Sequence, residues 1–208
     1  MSAPLQLVLM RHAKSDWSFS EPDHSRPLNK RGRKSAEALG DWLRAEDYVP
    51  DQVLCSTSAS TRETLDLLQI DAPARFEDRL YHADPETVLQ ALRDADSARV
   101  LVIGHNPGFQ EVAQRLVSRA PEHPRFADYP TGATLVADFD VADWSQADRE
   151  LVGRLAEFIV RRRLGAPALM ALEAGRPFNF LGSQALTFLA PFATLVFSAA
   201  EYERFTRI

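Results

Sequence analysis

The sequence LQLVLMRH, residues 5–12, predicts a buried strand that ends in Arg11 and His12. Its first six residues are almost all apolar, as expected for a strand that helices cover on both faces of a sheet. A second run, VLVIGH at residues 100–105, ends in the same way at His105. Open parallel sheets bind ligands at the carboxyl ends of their strands. We therefore expect His12 and His105 to lie at the same edge of one sheet.

Helix and strand patterns alternate between these two runs. Asn29 can cap a helix that extends over roughly residues 30–46. Residues 53–55 predict a short strand, and the Ser/Thr-rich segment after it opens a helix that continues through Leu68. Pro85 can begin a third helix, since proline is well tolerated in the first helical turn.

The alternation continues after His105. Asn106 and Pro107 predict the cap and the first-turn proline of a fourth helix, and residues 134–139 and 157–161 predict two later strands. Such an order of elements is typical of an α/β fold with short, right-handed connections. We expect a three-layer sandwich in which a mainly parallel central sheet carries helices on both faces.

The composition is that of an ordinary globular protein of 208 residues, with 45% hydrophobic and 25% charged residues. A net charge of −5 argues against nucleic acid as a partner, because phosphate backbones select basic surfaces. The single cysteine, Cys55, fits a reducing compartment. The first residues do not have the basic and then apolar pattern of a secretory signal. We expect a cytoplasmic protein.

The end of the chain has a different composition. We expect a catalytic domain over residues 1–164 and an apolar extension over residues 165–208. Residues 177–200 contain no Asp, Glu, Lys or Arg, and a membrane span needs about 20 apolar residues. Gly182, Pro191 and several polar side chains interrupt this segment. Packing on the domain or on a partner chain is therefore favoured over contact with a membrane, and both remain open.

Four side chains can form a site for a phosphoryl group. They are Arg11, His12, His105 and Arg62, which lies in STSASTRET, residues 56–64. A guanidinium can donate two parallel hydrogen bonds to phosphate oxygens. A neutral imidazole nitrogen can attack phosphorus and form a covalent intermediate that water later hydrolyses. This chemistry requires neither a metal nor another cofactor.

Five motifs carry a resemblance to a known family: LMRHAKS (9–15), DHSRPL (23–28), STSASTRET (56–64), GHNPG (104–108) and PTGA (130–133). They resemble the phosphoglycerate mutase branch of the histidine phosphatase superfamily, and in particular its SixA-like phosphohistidine phosphatases. The likeness covers roughly residues 5–164. It implies a phosphoglycerate mutase-like fold, with His12 as the phosphorylated nucleophile. Arg11, Arg62 and His105 would bind the phosphoryl group.

The resemblance extends less clearly to three further residues. Ser18 falls where mutases carry a phosphate-contacting asparagine, and it could replace that residue or be an ordinary loop serine. Mutases protonate the leaving oxygen with a glutamate, and Asp78 aligns with that position. Asp84, just before a predicted helix, is a second candidate. Exposed aspartates without a catalytic role are the alternative for both.

The substrate follows from the leaving group. Without an acid the substrate needs a leaving group that departs readily, such as the imidazole of phosphohistidine, whereas an alkyl phosphate needs a proton. We therefore expect a phosphorylated protein, such as a histidine-transfer domain, as partner. Phosphatase activity on small phosphate monoesters and non-catalytic phosphoryl binding are the alternatives. A mutase is disfavoured, because the segments between Arg62 and His105 are too short for a closing lid.

Other chemistries fit the sequence less well. Cysteine phosphatases place five residues between their cysteine and arginine, whereas six separate Cys55 from Arg62. Asp138 and Asp140 resemble the start of an aspartyl phosphatase motif, but its later elements do not follow. His24, beside Asp23 and Arg26, could line the mouth of the site or be an ordinary exposed loop residue. No pattern assigns a role to His82 or His123, and the three tryptophans, including Trp17, are interpreted as packing residues.

Overall fold

The computed structural model describes residues 5–18, 20–117, 120–146 and 153–160. Its strands and α-helices, in chain order, are β1 (Leu5–Arg11), α1 (Lys30–Ala45), β2 (Gln52–Ser56), α2 (Ala59–Leu68), β3 (Ala74–Glu77), α3 (Pro85–Arg93), β4 (Arg99–Gly104), α4 (Gly108–Leu116), β5 (Ala133–Phe139) and β6 (Gly153–Val160). Short 3-10 helices cover Asp23–Ser25, Asp78–Leu80 and Trp144–Gln146. The order confirms the predicted α/β class.

The strands form one sheet in the order β3-β2-β4-β1-β5-β6. The four strands from β3 to β1 are parallel, while β5 and β6 are antiparallel to their neighbours. The prediction of a mainly parallel sheet is confirmed. Strand β3 was not predicted, because its residues are exposed or half-buried and do not form an apolar run. Strand β6 begins at Gly153, four residues before the predicted start at 157.

Two apolar cores lie on opposite faces of the sheet. Successive side chains of a strand point to opposite faces, so Leu9 and Met10 of β1 enter different cores. Leu9 packs in the core that contains Phe109 of α4, and Met10 packs in the core that contains Trp42 of α1. Helices α3 and α4 thus cover one face and helices α1 and α2 the other, which confirms the predicted three layers.

Side-chain caps begin three of the helices. Asn29 caps α1 as predicted, since its Oδ1 accepts a hydrogen bond from the Gly32 amide at 2.8 Å. The prediction for α4 is wrong, because Pro107 itself occupies the cap position and no side chain caps this helix. The Asn106 amide group instead donates to the carbonyls of Asp128 and Tyr129, at 3.2 and 3.0 Å.

The register of β1 and β4 determines where the polar residues lie. Arg11 is paired with Gly104, and the amide of the next residue, His12, donates to the Gly104 carbonyl at 3.1 Å. Gly132, at the start of β5, donates its amide to the carbonyls of Arg11 and His12. It does so with a φ of 75°, a conformation that glycine adopts without a steric penalty. The carboxyl ends of β1 and β4 therefore lie side by side and form one polar edge of the sheet.

Two predictions concern residues outside the described ranges. The predicted domain boundary at 164/165 and the extension over residues 165–208 both lie there. Within the ranges that the structure describes, no helix is long and apolar enough to cross a membrane.

A close backbone contact joins α4 to the segment before α3. A β-carbon added at Gly108 would lie only 2.1 Å from the Ala83 carbonyl oxygen and 3.2 Å from the Asp84 carbonyl carbon. Because both neighbours are backbone atoms, a side chain at this position requires the whole segment to move. Glycine at 108 thus allows the backbone of residues 83 and 84 to pack against the start of α4.

We predict that Gly108→Ala lowers the free energy of unfolding by about 1–3 kcal/mol, because overpacking outweighs the gain of about 1 kcal/mol from alanine's helix propensity. Urea denaturation measures the change. The matched control is Gln69→Gly, at a residue with a φ of 51°, which should keep or raise stability. A Gly108→Ala variant within about 0.5 kcal/mol of the wild type would contradict the contact.

Candidate active site

A cavity of about 250 Å³ lies where β1 and β4 end. Residues from several separate segments surround it, and most of them are polar. The lining consists of Arg11, His12, Lys14, Ser15, Trp17, Asp23, Ser60, His82, His105, Asn106 and Thr131. The volume accommodates a phosphoryl group and part of the group that carries it.

His12 presents one defined ring nitrogen to this cavity. Its Nδ1 lies 2.7 Å from the Ala13 carbonyl oxygen. Because a carbonyl only accepts, Nδ1 carries the hydrogen and Nε2 carries the lone pair. Burial lowers the pKa of His12 to about 4, with a further lowering by the charge of Arg11, against the opposing hydrogen bond to Ala13. The ring is therefore neutral at pH 7.

His105 lies beside His12, with 4.9 Å between the ring centroids and 50° between the ring planes. Its Nε2 is within 3.1 Å of the Ser56 hydroxyl and 3.3 Å of the Ser58 hydroxyl. Burial, followed by the charges of His12 and His82, lowers the pKa of His105 to about 3. Two neutral imidazoles thus share one wall of the cavity.

Arg11 supplies a half-buried side chain to the cavity. Its Nη1 donates to the Tyr129 carbonyl at 3.0 Å, while its buried Nε has no acceptor among the described residues. Burial lowers the pKa of Arg11, but a guanidinium remains charged at neutral pH. An unsatisfied buried donor costs about 1–3 kcal/mol, which an anion in the cavity can offset.

Sequence reasoning did not identify Tyr129, which orients Arg11. The Tyr129 side chain is fully buried, and its hydroxyl donates to the Leu9 carbonyl at 2.7 Å. Its carbonyl accepts hydrogen bonds from both Arg11 and Asn106. The preceding loop has no pattern that would reveal this contact from the sequence alone.

The structure does not bring Arg62 to the other three residues. Its Nε donates to the Thr57 carbonyl at 2.9 Å, and its guanidinium lies 4.2 Å from the centroid of the exposed Phe76 ring. Residues two apart on a helix face different directions, so Ser60 enters the cavity while Arg62 lies on the exposed side of α2. Helical periodicity could have revealed this, because Ser60, Thr64 and Leu68 form the buried stripe.

The two predicted acids also lie outside the lining residues. Asp78 is exposed and accepts a hydrogen bond from the Thr57 hydroxyl at 2.6 Å. Asp84 caps α3 by accepting from the Thr87 amide at 2.8 Å. Both carboxylates therefore bond to nearby threonines and not to a residue of the cavity lining.

Ser18 does not line the cavity either. The segment after β1 is fixed to residues 27 and 28 by the Asp16 amide and by the bridge between Ser15 and Leu28. This pairing leaves Ser18 exposed, with its amide bonded to Asp16. The buried Ser15, with its hydroxyl 3.5 Å from His12 Nδ1, lines the cavity instead.

Two residues that the sequence did not assign, Asp23 and His82, face the cavity. The Asp23 carboxylate accepts hydrogen bonds from His82 Nε2 at 3.1 Å and from the Tyr81 hydroxyl at 3.0 Å. Burial raises the pKa of Asp23, but the hydrogen bonds from His82 and Tyr81 and the charge of Arg26 together lower it by more. The net shift of this pKa is therefore downward. These two contacts join residues that are 58 and 59 positions apart in the chain, which no local motif indicates.

The structure also shows the surroundings of Cys55 and Trp17, which the sequence suggested were packing residues. Cys55 is buried and burial raises its pKa to about 12, so its thiol is no nucleophile at neutral pH. Trp17 is not a packing residue, as it is 68% exposed and stacks 3.8 Å from the Arg26 guanidinium at the cavity rim.

In the part of the chain that the structure describes, no cluster of three or more His, Cys, Asp or Glu could hold a metal ion.

Known proteins are similar to this chain in sequence. The sequence model of the histidine phosphatase superfamily (branch 1) matches residues 7–87. An uncharacterized protein of Mycobacterium tuberculosis (strain ATCC 25618 / H37Rv) is 46% identical over 111 residues, which are 52% of this chain and 70% of that protein.

Two solved structures are similar over most of the described fold. A candidate phosphohistidine phosphatase SixA from Nakamurella multipartitia is 29% identical, with a TM-score of 0.68 over 79% of this chain and 99% of that one. A candidate SixA from Agrobacterium tumefaciens is 26% identical, with a TM-score of 0.63 over 76% of this chain and 100% of that one. The chain belongs to branch 1 of the histidine phosphatase superfamily and is a phosphatase of that type.

Proposed function

We propose that this enzyme removes phosphate from phosphohistidine in proteins, through a covalent intermediate on His12 and without a metal ion. The observation that carries the proposal is the fixed tautomer of His12, whose Nδ1–H is held by Ala13 while burial keeps the ring neutral. A neutral imidazole with a fixed lone pair is the form that can attack phosphorus.

In the first step Nε2 of His12 attacks the phosphorus atom in line with the leaving group. The new N–P bond forms as the bond to the leaving group breaks, and the leaving group takes the bonding electron pair. The Ala13 carbonyl stabilises the imidazolium-like ring that results, because it accepts the Nδ1 hydrogen at 2.7 Å. Water then attacks the phosphorus, and inorganic phosphate departs with regeneration of neutral His12.

Arg11 and His105 hold the phosphoryl oxygens during both steps. The Arg11 guanidinium, whose buried Nε lacks an acceptor among the described residues, donates to one oxygen. The Ser56 and Ser58 hydroxyls can donate to His105 Nε2, so that its Nδ1 carries the hydrogen for a second oxygen. Catalysis of phosphoryl transfer consists mainly of such positioning and charge neutralisation.

The substrate assignment rests on the leaving group and on the relatives. Phosphohistidine releases an imidazole, which departs more readily than an alkoxide. The two similar solved structures both carry the name SixA, a phosphohistidine phosphatase. The exposed Trp17 ring at the cavity rim can contact a protein surface around the phosphorylated side chain. A cytoplasmic phosphorylated protein is therefore the proposed partner, with small phosphate monoesters as the alternative.

We predict that His12→Ala abolishes both turnover of a phosphohistidine peptide and acid-labile phosphate labelling of the enzyme. The variant lacks the only atom proposed to bond to phosphorus. Rapid-quench labelling with radioactive substrate, in the presence of a chelator, measures both quantities. The control is His24→Ala, which alters a histidine outside the cavity lining and should label normally. Undiminished labelling of His12→Ala would exclude His12 as the nucleophile.

We predict that substitution of Arg11 lowers kcat/KM far more than substitution of Arg62. Arg11→Ala should lower kcat/KM by about 100-fold or more, as for loss of one preorganised donor. Arg62→Ala should change kcat/KM by less than about threefold, because an exposed side chain away from the cavity contributes little. Steady-state kinetics on the same peptide compares the two. Equal losses would mean that Arg62 reaches the phosphoryl group.

The pKa of His12 predicts how the nucleophile depends on pH. Since burial lowers this pKa to about 4, protonation removes the lone pair only as the pH falls through about 4, and the ring stays neutral from there upward. Proton–carbon NMR follows the titration of the ring, and His12→Ala identifies its resonance. A midpoint near that of an unperturbed histidine, about 6.5, would contradict the assigned burial.

A further inference from the structure

His82 and Asp23 form a hydrogen-bonded pair in the cavity wall, and the proposed mechanism gives neither residue a role. The His82 ring stacks on His105, with 5.2 Å between the centroids and 27° between the planes. Its Nε2 is bonded to Asp23, while its Nδ1 has no hydrogen-bond partner among the described residues. Both residues line the cavity that contains His12.

The backbone holds His82 in an uncommon conformation. Its φ is 50°, in the left-handed region that is sterically unfavourable for a residue with a β-carbon. The neighbouring Ala83 carbonyl packs against Gly108, and the Tyr81 ring contacts the His82 ring with 4.4 Å between centroids. The local fold thus keeps the imidazole at the mouth of the cavity, where its side chain is 52% exposed.

Within this pair the imidazole is the group that can carry a transferable proton. Asp23 accepts hydrogen bonds from His82 and Tyr81 and forms an ion pair with Arg26. All three partners stabilise a carboxylate, so Asp23 is an acceptor and not a proton donor at neutral pH. An imidazolium bonded to Asp23 through Nε2–H has a second hydrogen on Nδ1.

We propose that His82 is a general acid for the leaving group, that Asp23 positions it, and that the pair extends the enzyme to oxygen-linked phosphate monoesters. The inference rests on the proposed attack by His12. As Nε2 of His12 bonds to phosphorus, the P–O bond breaks and the ester oxygen takes the proton from His82 Nδ1, so an alcohol or phenol leaves.

The same nitrogen completes the cycle. Neutral His82 keeps its Nε2–H on Asp23 and can accept a proton from water at Nδ1 while that water attacks the phosphorylated His12. The products are inorganic phosphate, neutral His12 and protonated His82, so atoms and charges balance. A phosphohistidine substrate does not need this proton, because its imidazole departs readily.

The test compares two aryl phosphates that differ in the leaving group. Phenyl phosphate releases a phenol that requires a proton, whereas 2,4-dinitrophenyl phosphate releases a stable anion. His82→Asn should lower kcat/KM for phenyl phosphate by about 10²–10⁴-fold and for dinitrophenyl phosphate by less than about threefold. Asparagine suits the test because it tolerates a positive φ.

Two further variants keep the test interpretable. Asp23→Asn should give the same selective loss to a smaller extent, because it removes the carboxylate that orients His82. The matched control His24→Asn alters a histidine that also contacts the Tyr81 ring but does not line the cavity, and it should leave both rates unchanged.

The outcomes separate this inference from the proposed function. Equal losses on both esters, or no loss on either, would overturn the role of His82. Wild-type enzyme that hydrolyses a phosphohistidine peptide but neither ester would overturn the extension to oxygen-linked substrates. Absence of acid-labile labelling on His12 with every substrate would instead overturn the proposed function itself.

Discussion

The in-register pairing of β1 with β4 is the constraint on which the site depends. Arg11 is paired with Gly104, so the next residue of each strand is a histidine, and the His12 amide donates to the Gly104 carbonyl at 3.1 Å. A shift of one residue would reverse which side chains enter each core, because strand side chains alternate between faces. The two buried cores therefore fix the register, and the register brings the imidazoles within 4.9 Å.

Much of the fold could be predicted because long-range order here follows from local patterns. The apolar runs that became β1 and β4, and the cap of α1 at Asn29, are signals within a few neighbouring residues. Strand β3 could not be predicted, since an edge strand of four residues with half-exposed side chains has no apolar run. Its position is set by pairing with β2, which is a tertiary interaction.

The site was predictable only where its residues directly follow strands. His12 and His105 meet because strand ends meet, whereas Arg62 lies on a helix, where one residue changes the direction of a side chain by about 100°. The contact between Asp23 and His82 depends on how two loops fold over the sheet edge. Such contacts are decided by packing, as at Gly108, and a single sequence does not record them.

The charges of the cavity are compatible with the proposed function, in which one site holds an anion and keeps its nucleophile neutral. Burial lowers the pKa values of His12 and His105 to about 4 and about 3, so neither ring carries charge before a ligand enters. Arg11 is a half-buried cation of the lining, and its buried Nε lacks an acceptor among the described residues. Under the proposed mechanism a phosphoryl group would satisfy that donor and, as a nearby negative charge, would favour protonation of the ring it has bonded to. In the proposed attack, binding would then stabilise the charged product more than the free site, which is the differential stabilisation that catalysis requires.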